Sequence, residues 1–376
     1  MRLALKVLSG FAAVVVALAV VLYARHGGGQ PYPGVTGEPK LGEAALEVAV
    51  TSQEPIGNVA VSPDGRVFYT IHPESRPETV KLLEWREGRG QPYPSLEAQS
   101  LFDAVLGLAV DRQGRLWTID HGKHGTARAR LLAFDLSSGK VAHDHVFSPD
   151  EAQVGSFLQD LEVDAKGETV YIADVSFFRK NPGIVVYDVA SGKARRRLER
   201  DPSVMPQDWI IRTPAREMKF LGGVVALKSG IDGVVLSNDD AWLYYAAMNH
   251  DTLYRVRTAD LREPGLDDVA LAKRIEKVGR KPLSDGLGID QNGGVLVTDI
   301  EHGGVVRVSP DGTLATLVAT PRVRWADGVA NGPDGWLYLA DSDIPDQMLR
   351  SKGHIRAHAP YFIWRLKPDV AGVPGR

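Results

Sequence analysis

The chain has 376 residues, a formal charge of −3 and no cysteine. Near-balanced charge removes the electrostatic basis for a nucleic-acid partner, because affinity for phosphate backbones rests on an excess of clustered Lys and Arg. The lack of thiols excludes disulfides and thiolate catalysis, while 44% hydrophobic residues suffice for one large core.

Arg2 and Lys6 flank the start of an apolar run over residues 7–23, broken only by Ser9 and Gly10. A signal-peptide core takes roughly 7–15 residues and a membrane span about 20, so the run falls between the two. Leu3 to Leu5 extend it if Lys6 snorkels. Leu22-Tyr23-Ala24 is a poor cleavage site. Residues 1–25 are therefore expected to be a signal anchor, with residues 3–24 in the bilayer, or alternatively a cleaved signal peptide. Positive charge at the start keeps that end cytoplasmic, which places the rest outside the cytoplasm, in the periplasm or secreted. Residues 26–42, with Gly27-Gly28-Gly29 and three prolines, read as a flexible linker.

Residues 43–368 repeat one paragraph of sequence six times: an apolar strand, a Gly-centred turn and a β-branched or aromatic strand. The copies begin at Gly57 (GNVAVSPDGRVFYTIHP), Leu106 (LGLAVDRQGRLWTIDHG), Leu158 (LQDLEVDAKGETVYIADVS), Ile231 (IDGVVLSNDDAWLYYAAMNH), Ser284 (SDGLGIDQNGGVLVTDIEH) and Ala326 (ADGVANGPDGWLYLADSD). The hairpin residues are Gly65, Gly114, Gly167, Asp240, Gly293 and Gly335, with gaps of 49, 53, 73, 53 and 42. A four-stranded propeller blade takes roughly 40–50 residues, so the spacing predicts an all-β, six-bladed propeller preceded by a hydrophobic helix. Radial stacking buries both faces of each sheet and leaves only short edges. Residues 44–50 and 361–366 are expected to close the ring by sharing a blade. The long gap implies an insertion over residues 201–219, and a hairpin is expected over 220–228. A short helix is predicted over 266–272, a second insertion over 343–359 crowns one face, and residues 369–376 are expected to fray. His143-Asp144-His145 alternate as metal ligands on one strand face would, and as chance would too.

The start of each first strand and the end of each second strand lie on the same face of a propeller. Eight residues before the hairpin residue stand Asp232, Asp285 and Asp327, with Asp160 one residue closer. Six or seven residues after it stand Asp120, Asp174, Asp299 and Asp341, and His121, Asn249, His250, Glu301 and His302 are adjacent. Each acid has a structural alternative, that of accepting neighbouring backbone N–H groups. Together they predict a funnel with convergent polar groups, the default ligand site. Clustered carboxylates raise one another's pKa unless a cation or hydrogen bonds compensate. All-oxygen donors, with Asp232 and Asp285 as metal candidates, would suit a divalent cation such as calcium better than zinc. His250 or His302 beside an acid could transfer protons.

These copies, together with LLAFDLSSGK at Leu131, RRLERDPSV at Arg196 and WADGVANGPDGWLY at Trp325, resemble the major royal jelly protein/Yellow family over residues 57–366. The resemblance implies a six-bladed propeller, usually secreted. Some insect members convert dopachrome, and salivary members bind biogenic amines in the central channel. Bacterial members with this anchor-plus-propeller layout are described as dopachrome tautomerase-related. The repeats are more distantly similar to gluconolactonase-like propellers, which hydrolyse lactones with a divalent metal. Asp232 and Asp285 fall where two of those ligands sit, but Ile56-Gly57-Asn58 replaces the first-blade acid. The expectation is an extracytoplasmic propeller that takes a small polar or aromatic molecule and isomerises it by proton transfer, with Asp232, Asp285, His250 and His302 as catalytic candidates. The alternatives are a metal-dependent lactonase and a non-catalytic binding module. Membrane contact is expected through the N-terminal segment alone.

Overall fold

A computed structural model of the chain describes residues 2–375, the side chains of residues 2–6 and residue 9 excepted. Six four-stranded antiparallel sheets form the six blades of a propeller. In each of the first five, sequence order runs outward from the axis. The inner strands are Ile56–Val61, Val105–Val110, Leu158–Val163, Ile231–Leu236, Leu287–Ile289 and Ala326–Asn331. The second strands are Val67–Ile71, Arg115–Asp120, Thr169–Asp174, Trp242–Ala247, Val295–Asp299 and Leu337–Asp341. The sixth blade is completed by Tyr361–Leu366 and, outermost, by Glu47–Ser52 from the other end of the chain, paired antiparallel. That pairing closes the ring as the sequence predicts, with Glu43–Ala45 forming a 3-10 turn ahead of the strand.

Each hairpin turns where expected. Gly65, Gly114, Gly167, Gly293 and Gly335 have φ between 69° and 87°, and Asp240 takes the same left-handed region at 57°. Asp is among the few residues with a side chain that tolerates it. Burial follows radius. Every residue of Ile56–Val61 is buried, whereas Val141–Val146, outermost in the second blade, alternates exposed and half-buried. The core lies between blades, not inside one. Tyr171, Ile184 and Val186 of the third blade pack on Val234, Leu236 and Tyr245 of the fourth, each full side-chain burial stabilising by about 1.5–3 kcal/mol.

The N-terminal helix runs Arg2–His26. Among the described residues no helix is long and apolar enough to cross a membrane. The expected contributions of Arg2, Lys6 and Leu3 to Leu5 fall on side chains outside the described set. The expected linker is packed, not free. Gln30–Pro31 pairs in parallel with Trp209–Ile210, Tyr32 is buried and donates to the Lys281 carbonyl at 2.6 Å, and Lys40 and Leu41 bond Thr316 and Leu317. The flanking glycines do not keep it loose because Tyr32 fits an apolar cluster with Met248, Leu283 and Trp325. The tail is also tied down: Gln291 N–H bonds the Ala371 carbonyl and Gly375 N–H bonds that of Asn331. Asp268–Ala272 is a helix capped by Asp267, and the last insertion folds into two short helices, Ile344–Gln347 and Lys352–Ala357.

Candidate functional site

The geometry of the axis comes from an irregularity shared by five inner strands. Pairing slips between Ile56 and Val59, Val105 and Leu108, Leu158 and Leu161, Ile231 and Gly233, and Ala326 and Val329. Such bulges leave residues out of the ladder and re-aim their side chains. The released residues include Asn58, Gln159, Asp160, Asp232 and Asp327; in the fifth blade Asp285 sits just ahead of its short strand. Glycine beside them lets neighbouring blades touch. A Cβ on Gly107 would lie 2.2 Å from the Gln159 carbonyl oxygen, one on Gly233 2.8 Å from that of Asp285, one on Gly286 2.5 Å from that of Asp327, and one on Gly328 2.4 Å from Asn58 Oδ1. The inner turns thus stand shoulder to shoulder around the axis and carry their polar side chains together.

Asp160, Asp232, Asp285 and Asp327 converge there. Burial, reinforced by Asp285, Asp327 and Asp160, pushes Asp232 well above the usual carboxylate range. Burial and the Asp285 charge do the same to Asp327. Burial pushes Asp160 up to about 7. Asp285 is pushed up to about 6 by burial, held from rising further by hydrogen bonds from Trp325, Asp232 and Gln159. Trp325 Nε1 donates to its Oδ2 at 2.6 Å and Gln159 Nε2 to its Oδ1 at 3.1 Å. A protonated Asp232 beside an ionised Asp285 is the arrangement these bonds favour. Asp232 Oδ2 and Asp327 Oδ2 are buried without a hydrogen-bond partner.

The second-strand acids do another job. Asp120 Oδ2 accepts the N–H groups of Asp103 and Ala104, and Asp174 Oδ1 accepts that of Phe157. Asn249 Oδ1 accepts that of Ser229, and Asp341 Oδ1 accepts those of Arg324 and Trp325. Each pins the chain as it enters the inner strand of its own blade, a role that satisfies backbone donors otherwise lost to burial. Asp174 also pairs with Arg196 at 2.7 Å. Asp299 departs from this pattern: it holds His302 at 3.1 Å and Thr36 of the N-terminal stretch. Glu301 Oε1 accepts Arg212 N–H, and burial pushes Glu301 up to about 7.

Neither His250 nor His302 is among the residues that line the funnel cavity. His250 is buried against Tyr254, its Nδ1 accepting Thr252 N–H, and burial holds it down at about 4. His302 is half-exposed, raised by its bond to Asp299. His121 packs on Phe157 with its Nε2 unpartnered. The imidazoles that line the funnel are instead His26, His72 and His124. His72 Nδ1 accepts Glu74 N–H, which leaves the neutral ring's proton on Nε2, 4.0 Å from Asp327 Oδ2. Burial keeps His72 neutral, at about 4. His124 Nε2 lies 2.9 Å from Glu74 and its ring stacks on Phe157.

Above the carboxylates opens a cavity of about 470 Å³. Phe157, Phe177, Phe220, Leu227, Met248 and Trp325 contribute its largely apolar walls; Asp285, Gln159 and Ser229 contribute polar atoms, with His72, Glu74 and His124 to one side. Leu22 and His26 of the N-terminal helix also line it. Spacing from the hairpin singled out Asp285 but missed Asn58, Gln159, His72 and Trp325. His72 stands seven residues after Gly65, in the register that supplied the other second-strand candidates, and that signal could have found it.

Asp160, Asp232, Asp285 and Asp327 offer oxygen donors of the kind calcium takes. Among the described residues, the one group that brings three metal-ligand atoms within 4.8 Å of one another lies elsewhere, at Asp346, His354 and His358. No chemistry is assigned through a cation at the axis.

A ring of six sheets with a deep funnel, apolar on its walls and carboxylate-bearing at its base, defines the class: a six-bladed propeller with a central cavity. The model of the Major royal jelly protein family matches residues 104–318, more than half of the chain, and the chain belongs to that family. It is 25% identical over 260 residues to major royal jelly protein 9 of Apis mellifera, covering 59% of each chain. It is 25% identical over 277 residues to major royal jelly protein 3 of the same bee, covering 65% of this chain and 49% of the relative. The chain thus spans about half to three-fifths of the length of these relatives. Among solved structures, a luciferin-regenerating enzyme superposes with TM-score 0.58 at 12% identity, covering 88% of this chain and 97% of that one. A gluconolactonase from Xanthomonas campestris gives 0.53 at 16%, covering 86% and 89%. The calcium-binding protein regucalcin from Agrobacterium tumefaciens gives 0.53 at 15%, covering 87% and 96%. At such identities the likeness is one of fold.

Proposed function

We propose that this chain binds a small organic molecule with an aromatic-sized apolar body in its funnel, and isomerises it by moving a proton at the base. The observation that carries this reading is Asp285, which lines the cavity, accepts hydrogen bonds from Trp325 and Gln159, and stands close enough to Asp232 for its charge to raise that residue. An ionised carboxylate next to a protonated one, at the closed end of an apolar site, can remove a proton beside a carbonyl or quinone methide and return one. His72 Nε2–H supplies a neutral donor for an oxygen that gains charge. A cationic amine on the same molecule would find Asp285 as its counter-ion. A metal-dependent lactonase would need a cation gathered by these carboxylates, and lactone hydrolysis lost on chelation and restored by one metal ion would favour that reading.

We further propose that the propeller is extracytoplasmic and membrane-associated through its first helix. The large apolar side chains from Val7 to Tyr23 are exposed, as those of a lipid-facing helix would be, and Leu22 sets the funnel opening beside that surface. Dopachrome turnover by the purified chain, lost in Asp285→Asn, tests the chemistry. Melting shifts with aromatic amines test binding. Turnover or stabilisation equal in wild type and Asp285→Asn would overturn the assignment of the site.

A further inference from the structure

A second constellation lies outside the funnel, in the insertion of the last blade. Asp346 sits on the helix Ile344–Gln347. His354 lies on the helix Lys352–Ala357, and His358 caps that helix at its end. Four residues apart, the two imidazoles share one helix face; their centroids are 4.2 Å apart. His354 Nε2 is 2.9 Å from Asp346 Oδ1, and His358 Nε2 is 3.8 Å from Asp346 Oδ2.

The partner of His358 Nδ1 fixes its chemistry. That nitrogen faces the His354 carbonyl oxygen at 2.9 Å. A carbonyl oxygen only accepts, so Nδ1 carries a proton, and Nε2 of the neutral ring presents a lone pair. This lone pair faces a carboxylate oxygen. Two acceptors facing each other repel unless a proton or a metal ion stands between them. A backbone carbonyl on the far nitrogen is the outer-shell partner that metal-bound imidazoles commonly have. The spacing suits a metal as well. With zinc–nitrogen and zinc–oxygen bonds of about 2.0–2.2 Å, neighbouring ligand atoms in a tetrahedron stand roughly 3.3 Å apart, between the two distances observed. All three side chains are part-exposed, which gives an ion a way in. Arg350, 3.7 Å from Asp346 Oδ1 and part-exposed, is the competing counter-charge.

We propose that Asp346, His354 and His358 form a binding site for a divalent transition-metal ion. The two nitrogen donors and one carboxylate match zinc best, with a fourth position left to water. The ion would tie the two short helices together. The first of them carries Ile344, which with Met348 and Leu349 lines the funnel, so a loaded site stiffens one wall of the cavity.

Zinc chloride titrated into the EDTA-stripped full chain, in competition with a chromophoric chelator, tests this. One ion per chain at micromolar concentration or tighter is expected. His354→Ala and His358→Gln should each weaken uptake at least tenfold, and zinc should raise the melting temperature of wild type but of neither variant. Cobalt(II) should give wild type the visible absorption of a nitrogen- and oxygen-bound ion. Asp285→Asn should leave zinc affinity unchanged, which separates this site from the funnel. No stoichiometric uptake, uptake unaltered in both histidine variants, or uptake lost in Asp285→Asn would each overturn the proposal. Circular dichroism of each variant shows whether a loss is one of ligands or of folding.

Discussion

Trp325 Nε1 donates a 2.6 Å hydrogen bond to Asp285 Oδ2, and both residues are buried at the base of the funnel. One blade thereby holds the carboxylate of its neighbour in place. Trp325→Phe keeps the ring and removes the donor. Loss of one charge-assisted bond should cost about 1.5–3 kcal/mol. It should also raise the Asp285 pKa, because the bond favours the ionised form. Any turnover should therefore show its rising limb displaced to higher pH, measured as the pH dependence of kcat/KM.

Stability should depend on pH through Asp160. Its folded value, about 7, lies above the ordinary 3.8. The folded state therefore holds a proton that the unfolded chain releases. The associated stability is complete below about pH 4 and is lost as pH rises through 7, a span of at most about 4 kcal/mol. Asp160→Asn should remove that loss, so that the variant gains on wild type in urea titrations between pH 5 and pH 8. His72 works in the opposite sense. Held at about 4 by burial, it contributes stability above its usual 6.5 that disappears as pH falls through 4, and His72→Gln should flatten the acid limb.

Asp174 is a strut. It is fully buried, takes the Phe157 and Ser176 N–H groups and pairs with Arg196. Asp174→Ala leaves a buried guanidinium short of its partner and should destabilise by about 3–5 kcal/mol. Asp299→Ala loses the Glu301 and His302 N–H groups with the His302 ring and Thr36, but strands no buried guanidinium, and should cost less in the same denaturant titration.

The close approach of blades at the axis is open to a single methyl group. Gly286→Ala places a Cβ 2.5 Å from the Asp327 carbonyl oxygen, and the fifth and sixth blades must part to admit it. A fall in melting temperature of several degrees, with weaker funnel binding, is expected. Gly114→Ala, with nothing within 4 Å of its Cβ, feels only its positive φ and should destabilise by about 1 kcal/mol without touching the funnel.

Much of the architecture could be read from local pattern. Turn glycines, period-two alternation and a repeat of blade length are short-range properties, and six copies make them unmistakable. They located every hairpin and the closing strand pair. They also located Asp160, Asp232, Asp285 and Asp327, because a position counted from a rigid turn stays at one radius in every blade. Tertiary structure decided which polar groups face the funnel. Asp120 and Asp174 share the sequence register of a site residue yet are consumed by backbone N–H groups, and only the packed chain shows where those donors lie. Asn58, Gln159 and Trp325 entered the site because bulges and neighbouring blades turned them inward. The order of the linker, through Tyr32, and the meeting of Asp346 with His354 and His358 were equally hidden. They depend on contacts between segments distant in sequence or on how an irregular loop folds, and no local period encodes either.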